Sequence, residues 1–459
     1  MNTAYLSCLL CLLVPALVRA EVKPHALFSD GAVLQRGCAV PVWGSAADGE
    51  NVSVTFAGQT VSAVASNGQW MVQLRPLRAN ADSQTMTITG SNTVEIKNVL
   101  VGDVWICSGQ SNMQFEMHWL EDSTNQIARV NDPLLRLLGV PQGGATQPKR
   151  DIAVNWRACT SKSVEWFSSV AYFFGRDVRQ SQKVPVGLIS SRVGGTAAEN
   201  WLSWPALAAN PKLQQIAGKE PVEGGASFLY NAMIAPLQPF AICGVIWYQG
   251  ESNAYDARRA TAYQGLFQTL IKCWRDDWGQ GEFPFLFVQI APHNDMVPEI
   301  RESQLLTWQQ TPKTAMAVIT DCGHATDIHP KPKEPVGARL ALAARAVAYG
   351  ERLEYSGPVF RGMNVQGGKA TLSFTHVGGG LMAKDGTLKG FTLAGADNKF
   401  VPADAVIAGK TVIVSSKEVT QPVAVRYGWA NVPDVNLFNK DGLPASPFRT
   451  DSGRSMMEK

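Results

Sequence analysis

The run Leu100-Val-Gly-Asp-Val-Trp-Ile-Cys107, followed at once by Ser108-Gly-Gln-Ser-Asn-Met113, decides the fold class. The first run is mostly apolar and of strand length, which is typical of a parallel strand buried on both faces. The second run is polar and begins where that strand ends. Because open parallel sheets bind ligands beyond the carboxyl ends of their strands, we expect functional side chains in this second run.

Further apolar runs predict more strands of the same kind. They are 184–190, 243–248, 285–290 and 315–320. Between the runs, residues 262–274 carry apolar side chains at helical spacing, and residues 336–349 are rich in alanine and leucine. Strands that alternate with helices indicate an α/β fold, in which helices cover both faces of a parallel sheet.

Both flanks of this central region have β-like sequence. Between residues 26 and 98, short alternating runs are separated by glycine turns, which is typical of a small antiparallel sandwich. Similar runs return after Tyr355. The sequence therefore predicts a β-sandwich-like domain at 21–98, an α/β domain at 99–352 and a C-terminal β-rich region at 353–459.

The composition is that of a globular protein, with 45% apolar and 17% charged residues among 459. A formal charge of +3 is too small and too dispersed to indicate nucleic acid or an anionic membrane as a partner. After residue 20, no run is long and apolar enough to predict a membrane span. The cysteine and histidine spacings match no zinc motif, so we expect neither metal nor cofactor.

The first twenty residues predict a signal peptide. Leu6–Val18 is apolar but too short to cross a bilayer, and small or modest residues precede Glu21. We therefore expect an exported protein, periplasmic or secreted, whose mature chain starts near Glu21. Six cysteines then remain, and their fifteen possible pairings stay open.

Polar clusters follow four of the predicted strands, and the alternating topology brings them to one edge of the sheet. The clusters are 108–113, 194–196, 249–253 and 321–329.

These clusters contain the side chains of a serine nucleophile and its base. Ser111 needs a base to attack an acyl carbon, and Asp327 and His329 are one residue apart, so that Asp327 can hold the Nδ1 proton of His329. His324 competes with His329 as the base. Taken alone, Ser111 also fits a helix cap, and it is the joint arrangement that points to catalysis.

Other residues of the clusters suit an oxyanion hole. Gly194 and Gly195 allow the backbone to approach a ligand, although two glycines also fit a plain turn. Gln249 and Asn253 carry amide donors suited to the same oxyanion. Glu251, in the same cluster, is either a contact of the substrate or a capping residue.

The blocks as a whole resemble those of the SGNH hydrolases, in particular the sialate O-acetylesterase-like family of carbohydrate esterases. The resemblance covers essentially the whole chain after residue 20. The matching blocks are 27–36, 108–113, 194–196 with Glu199 and Trp201, 231–236, 245–253, 327–330, 429–431 and 442–449.

The resemblance implies an SGNH-type three-layer α/β/α sandwich flanked by β structure, which hydrolyses acetyl esters on sugars without a metal. It implies that Ser111 is the nucleophile, His329 the general base and acid, and Asp327 its orienting partner. The implied oxyanion hole uses the backbone N–H groups of Ser111 and Gly195 and the side chain of Gln249.

Two positions depart from the pattern of the family. The third block reads Gln-Gly-Glu-Ser-Asn, so either Gln249 or Asn253 completes the oxyanion hole. Arg192 stands before Gly194 in a segment that reads Ser-Arg-Val, and it faces either an acidic sugar or the surface.

The resemblance favours O-acetylated sialic acid as the substrate, with acetylated xylan, pectin or another glycan as alternatives. A non-catalytic carbohydrate-binding protein is the rival of another class, since 13 Trp offer flat faces to sugars. A complete Ser, Asp and His set argues against it. A nucleotide or flavin protein is disfavoured because no Gly-x-Gly-x-x-Gly follows a strand.

Overall fold

The computed structural model describes residues 21–218 and 222–451. The predicted signal peptide, residues 1–20, lies outside the described residues. Within the described ranges, no helix is both long and apolar enough to cross a membrane. All six cysteines of these ranges are free thiols.

The N-terminal region contributes strands to two sheets, and all but one of its strand pairs are antiparallel. Its strands are β1 (Lys23–Pro24), β2 (Val33–Gln35), β3 (Val40–Ser45), β4 (Asn51–Phe56), β5 (Gln59–Val64), β6 (Gln69–Leu74), β7 (Asn80–Thr89) and β8 (Thr93–Gly109). One sheet has the order β1-β3-β6, and β5-β4-β7-β8 are the antiparallel neighbours of the other. In β6, alternate residues from Trp70 to Leu74 are buried, as expected for strands with one face on a core.

Strand β8 joins this region to the rest of the protein. Its first residues alternate in exposure, whereas every residue from Val99 to Gly109 is buried. The strand is continuous across residues 98 and 99, between which the sequence predicts a domain boundary. A single long strand therefore carries the chain into the central sheet.

The central sheet continues from β8 through a path of seven strands, and six of these, β8 included, run parallel to one another. The further strands of this sheet are β9 (Asn131–Gly139), β10 (Arg157–Thr160), β11 (Val186–Arg192), β12 (Gly244–Tyr248), β13 (Phe285–Gln289) and β14 (Thr314–Val318). Their order is β10-β9-β11-β8-β12-β13-β14, and only β10 runs antiparallel to its neighbour on this path. The predicted parallel strands are thus present, but they belong to a larger mixed sheet of 11 strands that includes N-terminal ones.

Helices connect the strands. They are α1 (Ser111–Gln114), α2 (Ser123–Ala128), α3 (Ser161–Val164), α4 (Ser169–Gln182), α5 (Trp204–Ala208), α6 (Pro211–Ala217), α7 (Ala257–Trp278), α8 (Glu299–Gln310) and α9 (Glu334–Val347). Short 3₁₀ turns lie at Met117–Trp119, Ala198–Trp201, Ala235–Leu237 and Glu251–Asn253, and a π turn lies at Tyr230–Ile234.

Tryptophan side chains show that helices lie on both faces of the sheet. Trp105 of β8 packs against Phe174 of α4, with ring centroids 5.0 Å apart. Trp247 of β12 packs against Phe267 of α7 at 6.1 Å. Trp105 pairs with Gly244, three residues before Trp247, and side chains alternate along a strand. The two tryptophans, and with them α4 and α7, therefore lie on opposite faces.

The C-terminal region is β-rich, as predicted. Its strands are β15 (Val359–Gln366), β16 (Lys369–Thr375), β17 (Leu381–Ala383), β18 (Phe391–Ala394), β19 (Val401–Pro402), β20 (Asp404–Ala408), β21 (Thr411–Ser415), β22 (Ala424–Tyr427), β23 (Leu437–Asn439) and β24 (Phe448–Arg449). They form sheets β15-β16-β21-β20, β17-β23 and β19-β18-β22-β24 around a core of their own. A two-pronged ion pair of 2.9 Å links Arg449 to Glu302 of α8 and ties this region to the central one.

Candidate active site

The predicted Ser, Asp and His side chains meet at one cavity beyond the carboxyl ends of the parallel strands. Ser111, Asp327 and His329 all line this cavity, whose volume is about 350 Å³. The other lining residues are Gln114, Phe115, Trp119 and Lys331.

Ser111 is placed by a sharp exit from β8. Gly109, the last residue of β8, has φ +140°, and a Cβ there would lie 2.1 Å from the carbonyl oxygen of Tyr248. Only glycine fits so close to the neighbouring strand. Ser111 is the first residue of α1, and Gln110, not Ser111, is the N-cap. The interpretation of Ser111 as a helix cap is therefore wrong, and its backbone N–H belongs to the unpaired first turn of a helix.

The turn at Gly194 and Gly195 lies against Ser111. The N–H of Gly194 donates to Oε1 of Gln114 at 2.8 Å, which fixes the turn to α1. A Cβ on Gly194 would lie 3.3 Å from Cβ of Ser111, so a side chain there would crowd Ser111. Gly195 has φ +72° and is exposed, which suits a backbone N–H that faces a ligand.

Asp327 and His329 lie in the loop between β14 and α9, and both are half-buried. The hydrogen bond that joins them runs from the backbone N–H of His329 to Oδ1 of Asp327, at 2.8 Å. The carboxylate of Asp327 thus holds the main chain of His329. The sequence predicted instead that it would accept a bond from the Nδ1 proton of the His329 ring. His324 is exposed and accepts a hydrogen bond from the N–H of Asp327, but His324 itself does not line the cavity.

Burial lowers the pKa of His329, and the nearby cation of Lys333 lowers it further, while Asp327 opposes both effects. A lowered pKa keeps the imidazole neutral at neutral pH, which is the form that can accept a proton from a serine.

Next to Ser111 in the chain, Asn112 connects three elements through a buried polar network. Its Nδ2 donates to Oε1 of Glu251 at 2.6 Å and to the carbonyl oxygen of Ile328 at 2.9 Å. Its Oδ1 accepts a hydrogen bond from Nζ of Lys333. Burial raises the pKa of Glu251 and lowers the pKa of Lys333 to about 7. Since Ile328 lies between Asp327 and His329, this network couples α1 to their loop.

The amide of Gln249 is not available to an oxyanion in this structure. Its side chain is fully buried, and Nε2 donates to the carbonyl oxygen of Thr196 at 3.3 Å and to Oδ1 of Asn253 at 2.8 Å. Asn253 is also buried, and its Nδ2 donates to Glu199 at 3.0 Å. Both amides hold the block after β12 against the 3₁₀ turn at Ala198–Trp201, which corrects their predicted role as donors at the site.

Two other predicted substrate contacts also lie inside the protein. Glu251 is buried and bonded to Asn112, as described above. Arg192, only 8% exposed, donates from Nη2 to Oε1 of Glu116 and to the carbonyl oxygen of Trp166, each at 3.2 Å. Neither side chain lines the cavity. The sequence predicted that both contact the substrate, whereas in the structure both support neighbouring segments of the protein.

Sequence reasoning missed several residues of the site. The cavity-lining side chains of Gln114, Phe115 and Trp119 follow the predicted serine block directly, and Lys331 follows His329 by two residues. Lys333, in the network, lies two residues further on. Proximity to the motifs was the available signal, because one turn of helix after a nucleophile commonly faces the same cavity.

Comparison with known proteins finds relatives that match along most of the chain. Residues 101–345 match the family model of carbohydrate esterases described as sialic acid-specific acetylesterase. The chain is similar to the sialate O-acetylesterases of Pongo abelii and Homo sapiens, each 31% identical over 95% of this chain and 97% of the relative. It is also similar to the crystal structure of a carbohydrate acetylesterase from Xanthomonas citri, with 42% identity and a TM-score of 0.88. That match covers 94% of this chain and 100% of the other.

Proposed function

Because the chain belongs to the sialic acid-specific acetylesterase family of carbohydrate esterases, we propose that it removes O-acetyl groups from sugars, with O-acetylated sialic acid as the favoured substrate. Membership of this family makes it a carboxylic ester hydrolase. The observation that carries the proposal is the position of Ser111, Asp327 and His329 around one cavity.

The proposed reaction has two acyl-transfer steps. His329 takes the proton of the Ser111 hydroxyl as Oγ bonds to the acetyl carbon, and the sugar oxygen then leaves with that proton. A water molecule, deprotonated by His329, attacks the acetyl-serine, and acetate is released as His329 returns the proton to Oγ of Ser111. The lowered pKa of His329 favours the neutral imidazole that both steps require at neutral pH.

The oxyanion formed in each step needs donors beside the acetyl carbon. We assign this role to the backbone N–H groups of Ser111 and Gly195. Gln114 replaces Gln249 as the side-chain donor of this proposal. Its Oε1 holds Gly194, and its Nε2 has no hydrogen-bond partner among the residues that the structure describes.

The charge at the cavity supports an acidic sugar. Lys331 lines the cavity and is exposed, and within the described ranges no carboxylate forms a salt bridge with it. An ammonium group without a carboxylate partner in that part of the chain, placed at the edge of the cavity over the ring of Phe115, suits the carboxylate of sialic acid better than a neutral xylan ester. Pectin also carries carboxylates, so this charge favours an acidic sugar and the substrate panel separates sialic acid from pectin.

Acetate release from a panel of substrates tests this proposal. Acetylated sialic acid, acetylated xylan, acetylated pectin and p-nitrophenyl acetate would be compared for wild type, Ser111→Ala and His329→Ala. We expect turnover of the sialic acid ester to be fastest, and each substitution to lower kcat by a factor of about 10³ or more with folding retained. Equal rates in wild type and Ser111→Ala would overturn the mechanism, and a preference for xylan would overturn the substrate.

Two finer assignments belong to the same proposal. We assign the central domain to the SGNH type, supported by the spacing of Ser111, Gly195 and the Asp327–His329 pair along the chain.

We also propose that the protein is exported, supported by the apolar composition of residues 6–18. Expression in a host with an export pathway, followed by N-terminal sequencing, should give a mature chain that starts near Glu21.

A further inference from the structure

We infer that three aromatic side chains beside the catalytic cavity form a subsite for the sugar ring of the substrate. We call His118, Trp119 and Trp166 the aromatic shelf. This inference rests on the proposed function, and it adds the place where the sugar binds.

The aromatic shelf is continuous with the cavity. Trp119 lines the cavity together with Ser111 and His329, and its ring packs on Phe115 with centroids 5.5 Å apart. The ring of His118 lies 5.4 Å from that of Trp119 and 4.2 Å from that of Trp166. When the acetyl group of a substrate is at Ser111, the rest of that molecule can therefore leave the cavity past Trp119 and lie over the aromatic shelf.

The aromatic faces are open to solvent. Trp166 is 63% exposed and Trp119 is 41% exposed. Other tryptophans of the central domain, such as Trp105, Trp201 and Trp247, are fully buried. These two exposed indoles, each in contact with the ring of His118, leave apolar surface in water beside the cavity, which is typical of a binding surface.

Hydrogen bonds hold together the two chain segments that carry the aromatic shelf. Arg192, at the end of β11, donates to the carbonyl oxygen of Trp166 and to Glu116, as described above. The N–H of His118 donates to the carbonyl oxygen of Glu165 at 3.2 Å, and the N–H of Met117 donates to Phe167 at 3.0 Å. The two segments that carry the aromatic rings are thus fixed to each other before any ligand arrives, which lowers the ordering cost of binding.

A sugar ring suits this surface because one face of a pyranose carries mostly C–H groups, which pack on flat aromatic rings, while its hydroxyls stay in water. The alternative occupant is an apolar segment of another protein. The sugar is favoured because Trp119 is part of the wall of the catalytic cavity, so that a ligand on the shelf and the ester at Ser111 belong to one molecule.

The test compares a sugar ester with an ester that has no ring. For wild type, Trp166→Ala and Trp166→Phe, kcat/KM would be measured for O-acetylated sialic acid and for ethyl acetate by acetate release. We expect the ratio of the two values to fall about tenfold in Trp166→Ala and to be largely restored in Trp166→Phe. Val406→Ala, which removes an exposed apolar side chain of the C-terminal region, is the control and should keep the wild-type ratio.

The outcomes separate this inference from the proposed function. If wild type releases acetate from the sugar and Trp166→Ala keeps the wild-type ratio, the shelf is not a sugar subsite, while the esterase assignment stands. If wild type releases no acetate from any sugar, the proposed function fails. Binding of the acetylated sugar to Ser111→Ala protein, with and without Trp166→Ala, then decides the shelf: equal affinities overturn it, and weaker binding without the indole supports it.

Discussion

Replacement of Lys333 by methionine should change how the stability of the protein depends on pH. Lys333 is 1% exposed, and burial lowers the pKa of its ammonium group from 10.5 to about 7. The folded protein therefore binds fewer protons than the unfolded chain between pH 7 and 10.5. Stability contributed by this group rises with pH across that window, because unfolding takes up a proton there.

The size of the effect follows from the two pKa values. With a pKa of about 7 in the folded state and 10.5 in the unfolded state, raising the pH from 7 to about 9.5 stabilises the wild type by about 3 kcal/mol relative to a variant without the group. Methionine has a similar volume and no charge, so it also fills the space against the rings of Phe115 and Tyr248.

Urea unfolding at pH 7 and at about pH 9.5 would measure this difference. The free energy of unfolding of wild type minus that of Lys333→Met should rise by about 3 kcal/mol between the two conditions. Groups that Lys333 does not influence titrate alike in both proteins and cancel, whereas Glu251 and His329 lose a cation that lowers their pKa values in the wild type. Lys331→Met, at an exposed lysine two residues away, is the matched control and should show no such change. An identical pH dependence in wild type and Lys333→Met would refute the buried state of this lysine.

Further predictions concern the parts of the site that hold the nucleophile and its base. Asn112→Ala should lower the free energy of unfolding by about 3 kcal/mol in urea, because it leaves buried polar partners unpaired. Gly194→Ala should lower kcat/KM about tenfold, because its Cβ would crowd Ser111, with the melting temperature nearly unchanged. The lowered pKa of His329 places the acid limb of the pH profile of kcat/KM below 6.5. Lys331→Gln removes a cation that lowers this pKa, so the limb should move to higher pH by roughly half a unit, and a shift to lower pH would contradict this account.

The sequence predicted the central strands because they are buried on both faces. Continuous apolar runs such as 243–248 and 285–290 have no polar alternation, and they correspond to β12 (Gly244–Tyr248) and β13 (Phe285–Gln289). It did not predict β9, since Pro133 and Arg136 interrupt that run. The guanidinium of Arg136 donates locally to the carbonyl oxygen of Pro133 and, across the fold, to the carbonyl oxygen of Gly31. Such a long-range partner leaves no local signal in the sequence.

The site was predicted in part for a similar reason. Ser111, Asp327 and His329 follow strand ends, and the topology alone brings strand ends together. Which amides face the cavity depends on side-chain packing. Gln249 and Gln114 are both amides in polar clusters, but Tyr263, on α7, donates to Oε1 of Gln249 at 2.9 Å and draws it into the core. That contact joins residues of two elements and could not be foreseen from either motif.

Trapping the acyl-enzyme tests the central claim most directly. Wild type and Ser111→Ala would be mixed with p-nitrophenyl acetate, quenched with acid within the burst phase, and digested for mass spectrometry. We predict that the wild-type peptide containing Ser111 gains the mass of one acetyl group, and that the Ser111→Ala protein shows neither this adduct nor a burst. An acetyl group on a different residue, or continued rapid hydrolysis by Ser111→Ala, would contradict the assignment of Ser111 as the nucleophile.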